Sequence, residues 1–349
     1  MATSGLPFSG VLGTATVAHL HLPLRRGVDH GLPTTIHDGS GAQIVASNLA
    51  NGARVGISAW HDAWDLAPLG TRLDEIAHYG VDTVEIPGFT MDLIGRGRVL
   101  NDRVKELRTL VADRPYGYTF HGPIGINFMD DPFRLDLHFD VLKASIEIAA
   151  ELKAEHHILH TGIVFDDAQM PAIEEAFSRQ REFLTKAGDF AEDHGVILTV
   201  ENVFTDQRNE FTALPSRLSE EIFAIDHPHV WACFDFSHGY INATLRGADW
   251  DQEYPTLTRC SRHLHIHDSY GQPNDITLYS RAENLAFGLG DLHLPLGLGD
   301  INFDAIMDTC VFPRGVIFNF ELDERYWPLA AQSVEQTKVL AARANIAQE

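Results

Sequence analysis

Hydrophobic and polar positions follow two alternating patterns from Val55 to the end of the chain. Short apolar runs predict eight strands, and longer stretches between them, such as 135–152 and 171–193, have the spacing of amphipathic helices. The predicted strands are 55–58, 83–86, 118–121, 157–160, 197–201, 231–235, 263–267 and 316–321. A repeated strand–helix–strand order indicates parallel pairing through right-handed crossovers. Eight such units predict an α/β fold of the closed (β/α)8 TIM-barrel type.

A doubly wound open sheet is the alternative fold. Its dinucleotide-binding form carries a glycine-rich phosphate turn after the first strand, and this chain has no such turn there. The closed barrel is therefore the preferred interpretation.

Two segments do not follow the repeat. Residues 1–54 are rich in Gly, Thr, Ser and Asp, with an alternating stretch at 14–24. We interpret them as an N-terminal extension, with a hairpin at 14–24, that caps the 55–349 barrel domain or contacts another copy in a homo-oligomer. The second segment, 269–299, is a long connection after strand seven, and loops of this length are usually functional.

Six predicted strands end on a histidine or a carboxylate, or carry one within two residues of the end. Further polar residues follow in the Asp-Phe-Ser-His segment at 235–238 and in the long loop. Together the candidate ligands are His121, His160, Glu201, Asp235, His238, His265, Asp291, His293 and Glu321. Parallel strands of closed α/β folds are usually apolar on both faces, so polar groups near their carboxyl ends indicate a site.

Strand parity places these groups on the inner face. If Glu201 points inward, Thr199 does so too, while Leu198 and Val200 face the helices. The same parity puts His265 on one face with the two histidines that flank it at alternate positions. We expect four other histidines to be hydrogen-bonded structural residues, and Cys233 and Asn319 to serve packing and support. Those histidines are His156, His157, His263 and His267.

Several carboxylates facing one cavity would repel one another strongly, and bound cations remove that repulsion. A mixture of imidazole and carboxylate ligands suits Zn, Mn, Fe or Co rather than Ca. The sequence therefore predicts one to three divalent metal ions per chain at the carboxyl ends of the strands.

Seven segments in order resemble the xylose isomerase-like TIM barrels, which include endonuclease IV and many sugar isomerases and epimerases. The resemblance covers about residues 55–340. Its segments are His-Gly-Pro-Ile-Gly-Ile-Asn-Phe at 121–128, His-Thr-Gly at 160–162, Val-Glu-Asn at 200–202, Asp-Phe-Ser-His at 235–238, His-Ile-His-Asp at 265–268, Asp-Leu-His-Leu-Pro-Leu-Gly-Leu-Gly at 291–299, and Glu321.

The resemblance implies two ligand sets. In the endonuclease IV type, three metals would be held by all nine candidates, with Glu201 bridging the first two ions. The first ion would use His121 and His160, the second Asp235, His265 and Glu321, and the third His238, Asp291 and His293. In the mononuclear isomerases and epimerases, only Glu201, Asp235, His265 and Glu321 would bind the metal, and the other histidines would contact substrate.

Two functions follow from the resemblance. The first is an isomerase or epimerase of a small sugar, sugar phosphate or polyol. In it Glu201 and Glu321 would move a proton next to a metal-bound carbonyl, and a further set of residues would contact substrate. That set is His121, His160, Glu85 and Asn202. His238, which would hold a substrate hydroxyl, is predicted to be catalytic together with the two glutamates. A lyase or dehydratase would use the same residues, and a small-molecule phosphoesterase also stays open.

The alternative function is a trinuclear phosphodiester hydrolase of the endonuclease IV type. The chain carries 49 Asp and Glu against 26 Lys and Arg, a formal net charge of −23, which repels polyanions at long range. Ile124 and Gly125, in the loop where endonuclease IV-like proteins insert bulky side chains into DNA, make a poor wedge. We therefore expect a small-molecule substrate rather than nucleic acid.

Cysteine usage and apolar runs bear on the compartment. Three scattered cysteines do not form a disulfide framework, and no basic segment followed by an apolar stretch marks a secretory signal. No apolar run is long enough to cross a bilayer. These features predict a cytoplasmic protein without a membrane partner.

Overall fold

Eight parallel strands close into a barrel, as the strand–helix repeat predicts. The computed structural model describes residues 49–62, 65–165 and 172–347. Each strand pairs in parallel with its neighbour in the chain, and the eighth pairs with the first, so the open-sheet alternative is excluded. Residues 1–48 of the predicted N-terminal extension, with the hairpin predicted at 14–24, lie outside the described residues.

The barrel strands are numbered here in chain order. They are β1 Arg54–Ser58, β2 Thr83–Pro87, β3 Gly117–His121, β4 Ala154–His160, β5 Ile197–Glu201, β6 Val230–Asp235, β7 Ser261–Ile266 and β8 Ile317–Phe320. Within the described ranges, six two-residue strands lie outside the barrel, paired as Ile94–Gly95 with Arg98–Val99, Ile163–Val164 with Phe211–Thr212, and Val311–Phe312 with Asn345–Ile346.

Ten α-helices accompany the strands in the described part of the chain. They are α1 Leu69–Ile76, α2 Asn101–Val111, α3 Leu135–Glu151, α4 Ile173–Asp193, α5 Pro215–Ile225, α6 Phe236–Arg246, α7 Trp250–Thr258, α8 Arg281–Phe287, α9 Phe303–Thr309 and α10 Ala330–Arg343. None of these helices has an apolar stretch of the length that a membrane crossing requires.

The apolar residues of the strands form the hydrophobic core with the helices. Leu198 and Val200 of β5, and Phe318 and Phe320 of β8, are fully buried members of this core. Each such side chain contributes about 1.5–3 kcal/mol by leaving water. The alternate residues of the same strands are polar, so the barrel interior near the carboxyl ends of the strands collects imidazoles and carboxylates.

The connection after β7 was predicted as a loop over 269–299, and it contains helix α8. Asp268, just before it, organises the segment. Its carboxylate accepts backbone N–H groups of Ser269 at 2.9 Å, Gly297 at 2.8 Å and Ile301 at 3.1 Å. Its backbone also pairs with Leu294 in an isolated antiparallel bridge. These contacts hold the stretch that carries the predicted ligands 291 and 293 over the barrel mouth.

Candidate metal centre

All nine predicted ligands lie at the mouth formed by the carboxyl ends of β3 to β8. Four of them form what we call the strand-end group: Glu201, Asp235, His265 and Glu321. Glu201 and Asp235 end β5 and β6, His265 is the second-last residue of β7, and Glu321 directly follows β8. Because parallel strands end at the same edge, their last inward side chains meet there.

His265 is the centre of the strand-end group. Its Nδ1 is 3.4 Å from Oε1 of Glu201, 3.4 Å from Oε2 of Glu321 and 3.8 Å from Oδ2 of Asp235. The His265 and Glu201 side chains are each only 1% exposed. Three acidic side chains thus surround one imidazole nitrogen in a buried space.

Glu201 also faces the two histidines that end β3 and β4. Its Oε2 is 3.2 Å from Nε2 of His121 and 3.5 Å from Nε2 of His160. The carboxylate therefore lies between these histidines and His265, which is the position that a bridging ligand requires. The ligand atoms of His121, His160 and Glu201 lie within 4.8 Å of one another.

Asp291 and His293, which we call the loop pair, approach the same centre from the loop after β7. Oδ2 of Asp291 is 3.1 Å from Nδ1 of His293 and 3.3 Å from Nε2 of His238, and Nε2 of His293 is 3.3 Å from Glu321. Burial lowers the pKa of His293, but Asp291 and Glu321 outweigh it and raise that pKa to about 9. The loop pair is thus electrostatically joined to the strand-end group.

His267 also lies in this cluster, although the sequence indicated a structural role for it. Its Nε2 is 3.0 Å from Oδ2 of Asp235 and 3.8 Å from Oδ1 of Asp291, and its ring stacks on that of His293 with centroids 4.1 Å apart. It could hold a metal with the loop pair or orient Asp235. The sequence signals for it are the alternation 263, 265, 267 and its place in the His-Ile-His-Asp segment at 265–268.

Two residues predicted to contact substrate have other partners. Glu85 of β2 is fully buried, with Oε2 3.0 Å from Nε2 of His263 and 3.4 Å from Nε2 of His265. The side-chain N–H of Asn202 donates to the backbone carbonyl of Asp235 at 2.8 Å, and its Oδ1 accepts a hydrogen bond from the backbone N–H of Asp235 at 2.9 Å. Glu85 therefore positions His265, and Asn202 positions Asp235. Such supporting contacts are common around metal-binding histidines and carboxylates.

Burial and charge act in opposite directions on the clustered groups. Burial alone would lower the pKa of His238, but Asp235 and Asp291 raise it well above its ordinary value. Burial alone would raise the pKa of Glu201, but the neighbouring histidines, His265 foremost, lower it well below its ordinary value. The cluster therefore favours positive charge among its carboxylates, which a divalent cation supplies.

The donor set fits a transition metal. Among the described residues, Oε2 of Glu201 and Nδ1 of His265 are buried and take part in no hydrogen bond, even though oppositely charged atoms lie within about 3.5 Å. Buried polar atoms normally have a hydrogen-bond partner. The ligand atoms of Glu201, Asp235 and His265 also lie within 4.8 Å of one another. Imidazole and carboxylate atoms that converge without hydrogen bonds are the arrangement that Zn, Mn, Fe or Co could use.

Comparison with known proteins agrees with the fold. Among solved structures, the chain is similar to a D-tagatose 3-epimerase-like protein, at 21% identity and a TM-score of 0.61 over 82% of this chain and 96% of that one. It is also similar to the IolI protein with a bound zinc atom, at 16% identity and a TM-score of 0.60 over 83% and 98%. A D-psicose 3-epimerase from Clostridium cellulolyticum H10 with D-tagatose has 13% identity and a TM-score of 0.57 over 84% and 100%.

The sequence itself has a family match. No curated protein matches the chain significantly. The family model of the xylose isomerase-like TIM barrel matches residues 73–341, which is most of the chain. This protein therefore belongs to the xylose isomerase-like TIM barrel family.

Proposed function

We propose that the chain is a divalent-metal-dependent isomerase or epimerase of a small sugar, sugar phosphate or related polyol. The observation that carries the proposal is the convergence of two glutamates, Glu201 and Glu321, on His265, each 3.4 Å from its Nδ1. The similar barrels include a D-tagatose 3-epimerase-like protein and a D-psicose 3-epimerase, which supports this class of chemistry.

The strand-end group would hold the metal. When bound there, a Zn, Mn, Fe or Co ion would polarise a substrate carbonyl and its neighbouring hydroxyl and stabilise the negative charge that develops as the adjacent C–H is deprotonated. Glu85 and Asn202 would support this site, because Glu85 contacts His265 from behind and Asn202 holds the backbone of Asp235.

The two glutamates would carry the proton transfer. They extend from β5 and β8, two strands that are not neighbours in the barrel, so they reach the space above His265 from different sides. Glu201 and Glu321 would act as a base and an acid at the reacting carbon, and general acid–base groups of this kind contribute about 10²- to 10⁴-fold to a rate. His121, His160 and His238, which surround Glu201, would orient substrate hydroxyls.

A trinuclear phosphodiester hydrolase is the second candidate. It is favoured by the meeting of all nine predicted ligands, with His267 beside the loop pair. It is opposed by the net charge of −23 and by the segment 124–125, where Ile124 is exposed but followed by glycine. These observations leave the single-metal sugar enzyme as the preferred function.

The test combines metal counting with isotope exchange. The purified protein is loaded with Zn, Mn, Fe or Co, its metal content is measured by mass spectrometry, and ketoses and their phosphate esters are incubated with it in D₂O. We expect about one tightly bound ion per chain and deuterium entering a carbon next to the carbonyl. Treatment with a chelator should abolish the exchange, and adding the metal back should restore it.

Two results would contradict this function. Absence of exchange across the whole ketose panel with every metal would overturn the isomerase proposal. Two or three tightly bound ions together with cleavage of a phosphodiester would establish the hydrolase instead. Nicking of a duplex that contains an abasic site would extend that second result to nucleic acid.

A further inference from the structure

A cavity of about 330 Å³ opens directly beside the loop pair. Asp291 and His293 line it, and they contact the candidate ligands His238 and Glu321. Trp60 and Phe204 form aromatic walls, and the rings of Phe204 and His238 are 5.1 Å apart. Pockets for small ligands begin at about this volume, so one sugar-sized molecule fits between the metal ligands and the rim.

Two arginines lie at this cavity. Arg281 belongs to α8 of the long loop, and Arg325 lies in the 3-10 helix Glu324–Leu329 after β8. They are the arginines among the residues that line the cavity, and the lining also includes three aspartates, Asp206, Asp291 and Asp323. Asp323 contacts both guanidinium groups and Asp62 contacts Arg281, so a further anion would bind to the guanidinium nitrogens that these carboxylates leave unused.

Asp323 holds both guanidinium groups but leaves donors unused. Its Oδ1 accepts the backbone N–H and the Nε–H of Arg325, both at 2.9 Å, and its Oδ2 is 3.4 Å from Nη1 of Arg281. Arg281 is further paired with Asp62 at 3.0 and 3.1 Å. By contrast, neither Nη atom of Arg325 has an acceptor within the described ranges 49–62, 65–165 and 172–347.

The position of Arg325 is also fixed relative to the metal ligands. The backbone N–H of Asp323 donates to the carbonyl of His293 at 3.0 Å, so the segment that carries Arg325 is tied to the loop pair. Asp323 itself is buried, and it fixes the guanidinium through Nε. An arginine anchored through Nε presents its two terminal nitrogens as a planar fork, the geometry that recognises phosphate or carboxylate groups.

We propose that the substrate carries a terminal anionic group, a phosphate ester or a carboxylate, which binds to Arg325 with assistance from Arg281 while its carbonyl end reaches the metal ligands. This inference rests on the proposed function and narrows it to acidic sugars. Ion pairing to Arg325 would also orient the sugar, because the anion and the metal would hold opposite ends of one molecule in the cavity.

The test uses three ketoses with one carbon skeleton: D-fructose, D-fructose 6-phosphate and D-fructuronate. They differ at the last carbon, which carries a hydroxyl, a phosphate or a carboxylate. Dissociation constants are measured by calorimetry on the metal-loaded protein. We expect at least one anionic ketose to bind about tenfold to 100-fold more tightly than D-fructose, the range for hydrogen bonds to charged groups. The phosphate and carboxylate arms identify which anion the cavity prefers.

Variants separate the guanidinium from the metal as the source of this preference. Arg325→Met should bring the three affinities close together, and Arg325→Lys should keep part of the preference. Arg343→Met is the matched control, since Arg343 has a similar side-chain exposure, 39% against 32%, and pairs with Asp304 and Asp308 on the outside of the barrel. This control should behave as the unmodified protein does.

Equal affinity for the three ketoses, binding of none of them, or an anion preference that persists in Arg325→Met would overturn the inference. Deuterium exchange on the same samples keeps the two proposals apart. Exchange into D-fructose without any preference for anionic ketoses removes the inference alone. Binding that depends on Arg325, without exchange in any ketose, counts against isomerase chemistry alone.

Discussion

The strand-end group and the loop pair meet at one site but are held in different ways. Asp235 and Glu201 end strands that are paired on both sides, and their side chains are at most 1% exposed, whereas Glu321, just after β8, is 13% exposed. Asp291 and His293 lie in a long connection, and their side chains are 14% and 27% exposed. The loop pair keeps its place through Asp268, Leu294 and the backbone contact of His293 with the segment after β8.

This difference separates the two proposed functions. Three of the four residues of the strand-end group lie in barrel strands, so under the proposed isomerase function this group would bind one ion without help from the long loop. The loop pair would be required only for further ions, as in the hydrolase. Substitutions in one region that leave the other unchanged should therefore identify which chemistry the protein performs.

The largest effect is expected in the strand-end group, for Glu201→Gln. The amide keeps the shape of the side chain but loses the charge that faces His121 and His265 and the base proposed for proton transfer. Exchange of deuterium into substrate should fall by about 10²- to 10⁴-fold, with weaker metal binding measured by mass spectrometry. Glu221→Gln is the control, since Glu221 is also buried but pairs with Arg181 between α4 and α5. An active, fully loaded Glu201→Gln protein would remove Glu201 from the site.

Asp291→Asn tests the loop pair. The substitution removes the carboxylate that faces His238 and His293. If one ion suffices, the metal count should stay at about one per chain and deuterium exchange should remain within about tenfold of the unmodified protein, since one charge-assisted contact is lost. Loss of one whole ion accompanied by loss of activity would show that the two regions act as a single multinuclear centre, and the hydrolase would then be preferred.

His267→Gln examines the contact between the two regions. His267 lies 3.0 Å from Asp235 and stacks on His293. If it orients Asp235, its loss should weaken metal affinity by about 10- to 100-fold, the usual effect of removing a residue that positions a ligand. His227→Gln is the control, because His227 contacts Asp189 on the outer helices. An unchanged metal affinity would show that His267 does not support the metal site and is a hydrogen-bonded structural residue, as the sequence predicts.

The strand-end group could be located from the sequence because it depends on two regular features. Each strand is an apolar run of known period, and the parity of Leu198 and Val200 in the core leaves Glu201 facing inward. Closure of the barrel then follows from the number of units. Asp291 and His293 could be named as polar residues of the long loop, but only the family resemblance assigned them to a metal, since a connection without periodicity does not show where its side chains point.

Other features depend on contacts that no local pattern contains. Asn202 follows a candidate ligand, but its amide is occupied by the backbone of Asp235, a residue 33 positions away. Glu85 lies inside the barrel against His263 and His265, and only closure of the barrel brings β2 and β7 to that distance. Arg325 became a candidate only because Asp323 fixes its Nε beside the cavity.

The smallest effect is expected for Asp268→Asn, which acts on the support of the loop pair. The Asp268 carboxylate accepts three backbone N–H groups, and an amide in its place turns an N–H toward at least one of them. We expect the free energy of unfolding to fall by about 1–2 kcal/mol, the cost of a buried donor left without its acceptor, as measured by urea denaturation of the metal-free protein.

Asp226→Asn provides the control for this last substitution. Asp226 is exposed at the left-handed end of α5, a conformation that asparagine adopts as readily as aspartate, so its stability should not change. Because Asp268 supports the loop pair and not the strand-end group, one ion should still bind to Asp268→Asn with nearly unchanged affinity. If Asp268→Asn weakens the binding of that first ion as much as His267→Gln does, the long loop is part of the primary metal site. The separation of the two regions then does not hold.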